Sequence, residues 1–394
     1  MPVCVEKPVY LRPDDQRVSP ARCNQSRVLY AQEIAPNMET ALVLCEGSFN
    51  RTGGKTAAGL VRHSLRFKIL GILDSTMAGK DAGMVLDGKN TGIPIFSSVK
   101  QALSKLPKKP DYLIVGVATV GGYLPKTFRP AIREAIKNEI NIISGLHQWL
   151  AQDPELSELA KKHGVTITDI RKEPPLEEMH YYRNLASKMK AIRIPVLGTD
   201  AASGKRTTAI ILTKELNKRG IKTSFVATGQ TGLLQGSRFG IPLDAIRGDY
   251  VVGELENAID LAYRTEHPKV IIVEGQGALS HPAYVTGSRT IVNASAPNAI
   301  VLQHAPARKW RTYHETELHI PNGTIDREME LIECYVGCPV IGITVNHQGM
   351  TRREVEEKIS EYEAKYGIPA CDVLVDGAGK IADAIIERFF PKKD

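Results

Sequence analysis

The sequence predicts an α/β protein of two units, each on a mainly parallel sheet. Three observations predict it: the length, the alternation of short apolar runs with amphipathic segments, and a glycine-lysine turn set between a strand and a helix. At 394 residues the chain is long enough for two domains of roughly 100–200 residues each. Its content of 42% hydrophobic and 24% charged residues is that of an ordinary globular protein, which excludes disorder, collagen and coiled coil. The basic excess, 51 Lys and Arg against 44 Asp and Glu for a net +7, is spread along the chain. That balance suits a small anionic molecule and gives no reason to expect nucleic acid. No window approaches 18 consecutive apolar residues, and Met1 to Gln32 carries charges and prolines where a signal peptide needs an apolar stretch. A cytoplasmic protein without a membrane partner is therefore expected, and a homo-oligomer is the default assembly. The cysteines (Cys4, Cys23, Cys45, Cys334, Cys338, Cys371) are scattered. Cys334 and Cys338 lack the second pair or histidine tail of a zinc site, so reduced thiols and no bound metal are expected.

Residues 1–38 have no sustained apolar period and read as an N-terminal arm. Residues 39–172 form the first unit. Its strand candidates are Ala41-Leu-Val-Leu-Cys-Glu, Phe67-Lys-Ile-Leu-Gly-Ile-Leu-Asp, Ile93-Pro-Ile-Phe, Tyr112-Leu-Ile-Val-Gly-Val, Ile140-Asn-Ile-Ile-Ser and Val165-Thr-Ile-Thr-Asp-Ile-Arg. Continuous apolar runs of this kind suit parallel strands covered on both faces. Residues 173–190, opened by Glu173-Pro-Pro, read as a stiff polar linker. Residues 191–394 form the second unit, with strand candidates at 192–197, 223–227, 269–274, 299–304, 340–346 and 372–375. Between them Leu255, Ala258, Ile259 and Ala262 recur at helical spacing.

The strongest local signal is Gly198-Thr199-Asp200-Ala-Ala-Ser203-Gly204-Lys205-Arg206-Thr207-Thr208, directly after a strand and directly before a helix. Glycines let backbone amides turn inward, a helix N-terminus adds partial positive charge, and Lys205 adds a full one, so the segment reads as a phosphate loop. It departs from the common pattern twice. Five residues separate the glycines instead of four, as in dethiobiotin-synthetase-type loops, and Arg206 replaces the Ser or Thr that ligates magnesium. A fixed guanidinium there can neutralise a diphosphate without Mg²⁺ and without cleaving it; Thr207 keeps a metal-dependent reading open.

The carboxyl ends of parallel strands share one rim, so Glu274, in Val273-Glu274-Gly275-Gln276-Gly277, should face the loop. It reads as a general base, a metal ligand, or a carboxylate hydrogen-bonded to Lys205 or to loop amides. The segment Thr228-Gly229-Gln230-Thr231-Gly232 follows the second strand at the same rim, and Arg247-Gly248-Asp249 follows in the next connection. Arg247 is a candidate two-pronged carboxylate clamp. Asn346 has the donor and acceptor to read an adenine edge, and Arg308-Lys309-Trp310-Arg311 is either a solvated basic turn or a contact for an extra phosphate. In the first unit, Glu46 to Thr56 resembles a second phosphate loop without its spacing. Asp74 stands where dinucleotide folds place a ribose acid, but without G-x-G-x-x-G no dinucleotide is expected. His147 is either a cleft residue or a packed core histidine.

Together these motifs carry a resemblance. Lys55-Thr-Ala-x-Gly-Leu-Val-Arg62, Gly121-Gly-Tyr-Leu-Pro, Ser144-Gly-Leu-His and Thr168-Asp-Ile-Arg precede the loop, Thr228-Gly-Gln-Thr-Gly and Glu274-Gly-Gln-Gly. The set resembles a two-domain family, long a domain of unknown function, that includes the D-glutamate N-acetyltransferases of bacterial D-glutamate catabolism. The likeness covers roughly residues 40 to 390. It implies a Rossmann-like domain followed by a P-loop NTPase-like domain, and acetyl-CoA as the cofactor, its pyrophosphate on the loop. The implied activity is N-acetylation of an acidic amino acid, with D-glutamate the first acceptor to consider. By position, Glu274 is the candidate base, with Gln276 and the amides of Gly275 to Gly277 as oxyanion donors. Arg247, Arg62, Asp249 and Gln230 are candidate acceptor-binding residues. Two other readings remain: carboxylate activation by ATP with Mg²⁺ held by Thr207 and Glu274, and a non-catalytic nucleotide-binding protein.

Overall fold

The computed structural model describes residues 38–313 and 316–391. All but the last residue of the expected arm, with Cys4 and Cys23, lies outside the described residues. Six parallel strands make the first sheet: β1 (Glu39–Leu44), β2 (Phe67–Leu73), β3 (Ile95–Phe96), β4 (Tyr112–Val115), β5 (Asn141–Ser144) and β6 (Ile167–Asp169). Their order is β3-β2-β1-β4-β5-β6, the doubly wound arrangement with its switch between β1 and β4. The inner residues of β1, Ala41 to Val43, are fully buried, as a strand with helices on both faces requires.

The second sheet contains β7 (Ile192–Gly198), β8 (Thr223–Ala227), β9 (Phe239–Gly240), β10 (Val270–Glu274) and β11 (Ile300–His304), completed after the hairpin described next by β14 (Val340–Val345) and β15 (Ala370–Cys371). All its pairings are parallel. The order β15-β14-β11-β7-β10-β8-β9 places β7 at the centre, flanked by β10 and β11. Separate apolar clusters cover its two faces. Between β11 and β14 the chain forms an antiparallel hairpin, β12 (Trp310–Tyr313) with β13 (Thr316–Pro321). The basic run read as a turn thus enters a strand, and Arg311 points inward, buried. The stretch 372–375 is a turn, the last strand ending at Cys371. No helix among the described residues is long and apolar enough to cross a membrane.

The polar linker is not a free hinge, because two buried glutamates fasten it to the helix Val251–Glu266. Glu256 accepts the amides of Arg183 and Leu185, both at 2.7 Å. Glu254 accepts the amide of His180 and, at 3.0 Å, faces its Nδ1. The two domains meet where the helix Lys55–His63 lies against Gln230–Leu234. Thr56 and Thr231 share a hydroxyl hydrogen bond of 2.9 Å, and the Gln235 amide donates to the Gly59 carbonyl at 2.7 Å. Ala227, Leu233 and Leu234 join the core of the first domain, so the seam is apolar as well as hydrogen-bonded.

Gly253 tests how tightly the linker is fastened. Glycine to alanine inside a helix ordinarily stabilises by about 0.5–1 kcal/mol. Here a Cβ would run into the His180 carbonyl and stand 2.7 Å from the Tyr182 amide nitrogen. Gly253→Ala is expected to lower the unfolding midpoint in urea and to expose residues 174–190 to limited proteolysis. An unchanged or raised midpoint would show that the linker yields easily.

Candidate functional site

The loop after β7 turns at Gly204, whose φ of 112° favours glycine, and the helix Lys205–Lys218 starts directly behind it. Amides of a first helical turn have no partner within the helix, so they face the loop. Lys205 is 4% exposed and folds back over the loop, its Nζ 2.6 Å from the Asp200 carbonyl and 3.4 Å from the Ser203 hydroxyl. Room for its alkyl chain comes from two glycines. A Cβ on Gly198 or Gly275 would stand 3.0 or 2.9 Å from Lys205 Cδ. Burial pushes the Lys205 ammonium down to about 8, against the pull of Asp200.

Neighbouring strands hold the loop from outside. Arg308 donates to the Asp200 carboxylate at 2.8 Å and to the carbonyls of Ala201 and Ala202. The Thr312 amide and His281 Nε2 approach the same carboxylate at 3.3 Å. Thr199 Oγ1 meets His304 Nδ1 at 2.7 Å; burial, with Lys358 and Arg308 nearby, pushes this imidazole down to about 4. The Asn346 amide donates to the Ser203 carbonyl at 2.9 Å, and its oxygen accepts the Gln348 amide. Thr208 donates to Gln303, which also accepts Thr344 at 2.6 Å. Asn346 and Thr208 therefore brace the loop, because their polar atoms are already engaged within the protein.

Arg206 leaves the loop for the seam. Its guanidinium lies beside Gly59 of the first domain, where a Cβ would be 3.1 Å from Nη2, and its Nε is buried without a partner among the described residues. Glu274, at the end of β10, is buried and accepts the Thr228 amide at 2.9 Å. Burial raises its carboxyl above the usual range, opposed by the Arg206 charge and the amides of Thr228 and Gly229. Gln276 donates through Nε2 to the Thr228 carbonyl. Both side chains thus grip the Thr228–Gly229 turn.

Gln230, in the same segment, accepts Arg171 Nη2 at 2.8 Å. Arg171 also donates to the Gly145 carbonyl and, through Nη2 and Nε on one edge of its guanidinium, to Asp244 at 2.6 and 3.2 Å. Arg247 pairs with Glu173 at 3.0 Å. His147, Trp149, Arg171, Glu173 and the stretch Asp244–Arg247 line a cavity of about 340 Å³ between the domains. His147 is therefore a cleft residue. Two expected acceptor-binding residues lie differently: Arg62 is locked to Asp87 by contacts of 2.6 and 2.9 Å, and Asp249 is exposed on the turn before the helix Val251–Glu266. The sequence reading missed Asp244, Glu173 and the part Arg171 plays. Arg171 was visible only as the last residue of Thr168-Asp-Ile-Arg; nothing local marked the others.

The switch point of the first sheet is closed by its own backbone. The Ala57 amide bonds the Gly116 carbonyl at 2.9 Å and the Ala118 amide bonds that of Gly53 at 2.8 Å. Asp74, fully buried, accepts the amides of Phe49 and Thr76, so its carboxylate caps these turns.

Two family models match the chain in order. A Rossmann-like domain of unknown function, DUF1611_N, matches residues 75–173, and a P-loop domain of unknown function, DUF1611_C, matches residues 180–382. A D-glutamate N-acetyltransferase of Tritonibacter scottomollicae is 31% identical over 275 residues, 69% of this chain and 80% of the relative. One from a Pseudoalteromonas species is 34% identical over 274 residues, 68% and 79% of the two chains. The crystal structure of a DUF1611 family protein from Anabaena variabilis superposes with a TM-score of 0.80 at 29% identity, covering 89% of this chain and 99% of that one. Matched across both domains, and sharing a Rossmann-like sheet followed by a P-loop sheet, the chain belongs to the DUF1611 family.

Proposed function

We propose that this protein transfers an acetyl group from acetyl-CoA to the amine of an acidic amino acid, with D-glutamate the first acceptor to test. The observation that carries this reading is the phosphate loop itself. It buries a lysine at a helix N-terminus, and the next residue, Arg206, turns toward the first domain, so no hydroxyl stands at the usual magnesium-binding position. That arrangement suits a diphosphate that is held and not cleaved. The two D-glutamate N-acetyltransferases, aligned over 79–80% of their length, support the reaction class.

Acetyl-CoA, when bound, supplies an activated acyl carbonyl. In the reaction the amine nitrogen bonds to that carbon, the carbon–sulfur bond breaks, and the proton lost by the amine balances the departing thiolate. The protein's part starts at the loop, where backbone amides and Lys205 bind the diphosphate. Arg206 adds fixed positive charge on the side facing the first domain. Glu274 is assigned the amine proton: burial raises its basicity, and the Thr228 and Gly229 amides fix its orientation. The Gly275–Gly277 backbone and Gln276 lie beside it, where charge develops on the thioester oxygen. Arg247 faces the interdomain cavity, the place for an acceptor carboxylate.

Adding acetyl-CoA and D-glutamate to the protein is expected to release free CoA, detected by thiol titration, in the presence of EDTA. Substrate-dependent formation of ADP from ATP and Mg²⁺, with no CoA release, would replace this reading by carboxylate activation. Lys205→Ala is expected to abolish the thermal stabilisation that acetyl-CoA confers, while the unliganded protein remains folded. For Glu274→Gln a fall in kcat of about 10²-fold or more is expected. In the wild type, activity should fall as pH drops through a carboxyl pKa above the ordinary glutamate value of about 4.3, because protonation removes the base. That acidic limb should be missing from the residual rate of the variant; an intact limb would assign the proton transfer elsewhere.

A further inference from the structure

The interdomain cavity has a floor and a mouth of different character. Arg171, 8% exposed, commits four of its five N–H donors to the protein: Nη1 serves the Gly145 carbonyl, Nη2 serves Gln230 and Asp244, and Nε serves Asp244 again. It builds the floor. Arg247 differs. Its side chain is 55% exposed, and its ion pair is a single contact of 3.0 Å from Nη2 to Glu173. A partly exposed pair of this kind contributes little to stability, so exchanging one carboxylate for another there is easy.

A volume of about 340 Å³, open to solvent, has room for an amino acid. Both signs of charge line it, with Trp149 as an apolar wall. Above His147 sits the turn Val120–Gly122, where a Cβ on Gly122 would be 2.6 Å from His147 Cβ. This turn leaves Val120 and Tyr123 exposed by two-thirds next to the opening. A short acidic amino acid matches these features: its carboxylate answers Arg247 and its carbon chain the apolar wall.

We propose that Glu173 is an internal stand-in for the acceptor, occupying Arg247 until a carboxylate of the incoming amino acid displaces it. The pair then sets selectivity for acidic over neutral acceptors. This rests on the acetyltransferase reading for its context and on the cavity alone for its geometry. Because Glu173 competes with the ligand, removing its charge and removing Arg247 must act in opposite directions, which a purely structural ion pair would not do.

The test measures D-glutamate against D-glutamine, by calorimetric binding and by KM, with the full chain. Glu173→Gln is expected to tighten D-glutamate about two- to fivefold, the range a partly exposed pair permits. Arg247→Gln is expected to weaken it about tenfold or more, with acetyl-CoA binding unchanged in both. In the double variant the gain from Glu173→Gln should vanish. Shifts of the same sign in both single variants, or no shift in either, would overturn the proposal. If the wild type binds D-glutamate with this pattern but transfers no acetyl group, the cavity assignment stands and the transferase reading fails. If it transfers acetyl groups but Arg247→Gln leaves KM unchanged, the cavity assignment fails alone.

Discussion

One buried ammonium organises the second domain. Moving a lysine charge out of water is unfavourable unless something replaces the lost hydration. Lys205 receives only a carbonyl and a hydroxyl from its own loop, and among the described residues no carboxylate lies within ion-pair distance of it. The nearby acid that could have paired with it, Asp200, is drawn away by Arg308 and lies beside His281. The lowered basicity of Lys205 expresses that shortfall. An anion seated in the loop would remove it. The bracing of the loop by Asn346, Arg308 and His304 then has a clear purpose: it keeps the turn in shape whether or not an anion is there.

The segment Thr228–Gln235 links this charge to the rest of the molecule. One side of it is gripped by Glu274 and Gln276, which stand beside the phosphate loop at and just past the end of β10. The other side meets the first domain through Thr231, Gln230 and Gln235. Arg206 crosses the same seam toward Gly59. A glycine at 59 and another at 232 permit these approaches; a Cβ at Gly232 would stand 2.6 Å from Glu274 Oε2. The first domain therefore contributes walls and positioning. Its own switch point is filled by backbone hydrogen bonds and by the buried Phe49.

Much of this was legible in the sequence because it is local. Continuous apolar runs gave β1, β2 and β4, and a strand, a glycine turn and a lysine gave the phosphate loop with the right neighbours. Glu274 fell on the expected rim because parallel strands align their carboxyl ends. What escaped depends on contacts far apart in sequence. Asp244 and Arg171 are 73 residues apart, and neither carries a motif that announces the other. Asn346 had the right chemistry for a nucleobase, yet its amide goes to a carbonyl 143 residues away. The β12–β13 hairpin was hidden because Arg308 to Arg311 reads as surface charge, while two of its arginines turn inward onto Asp200 and Ser280. Glu254 and Glu256 looked like ordinary helix charges, and only the fold shows them buried as acceptors for the linker.

The most direct test of this account is proton-linked calorimetry of coenzyme A binding at pH 8, in EDTA, using two buffers of different ionisation enthalpy. Burial pushes the Lys205 ammonium down to about 8, so part of it is deprotonated at that pH, and a bound diphosphate restores its charge. The account predicts net proton uptake on binding, with no requirement for Mg²⁺. Binding that needs Mg²⁺, or that takes up no proton, would contradict it.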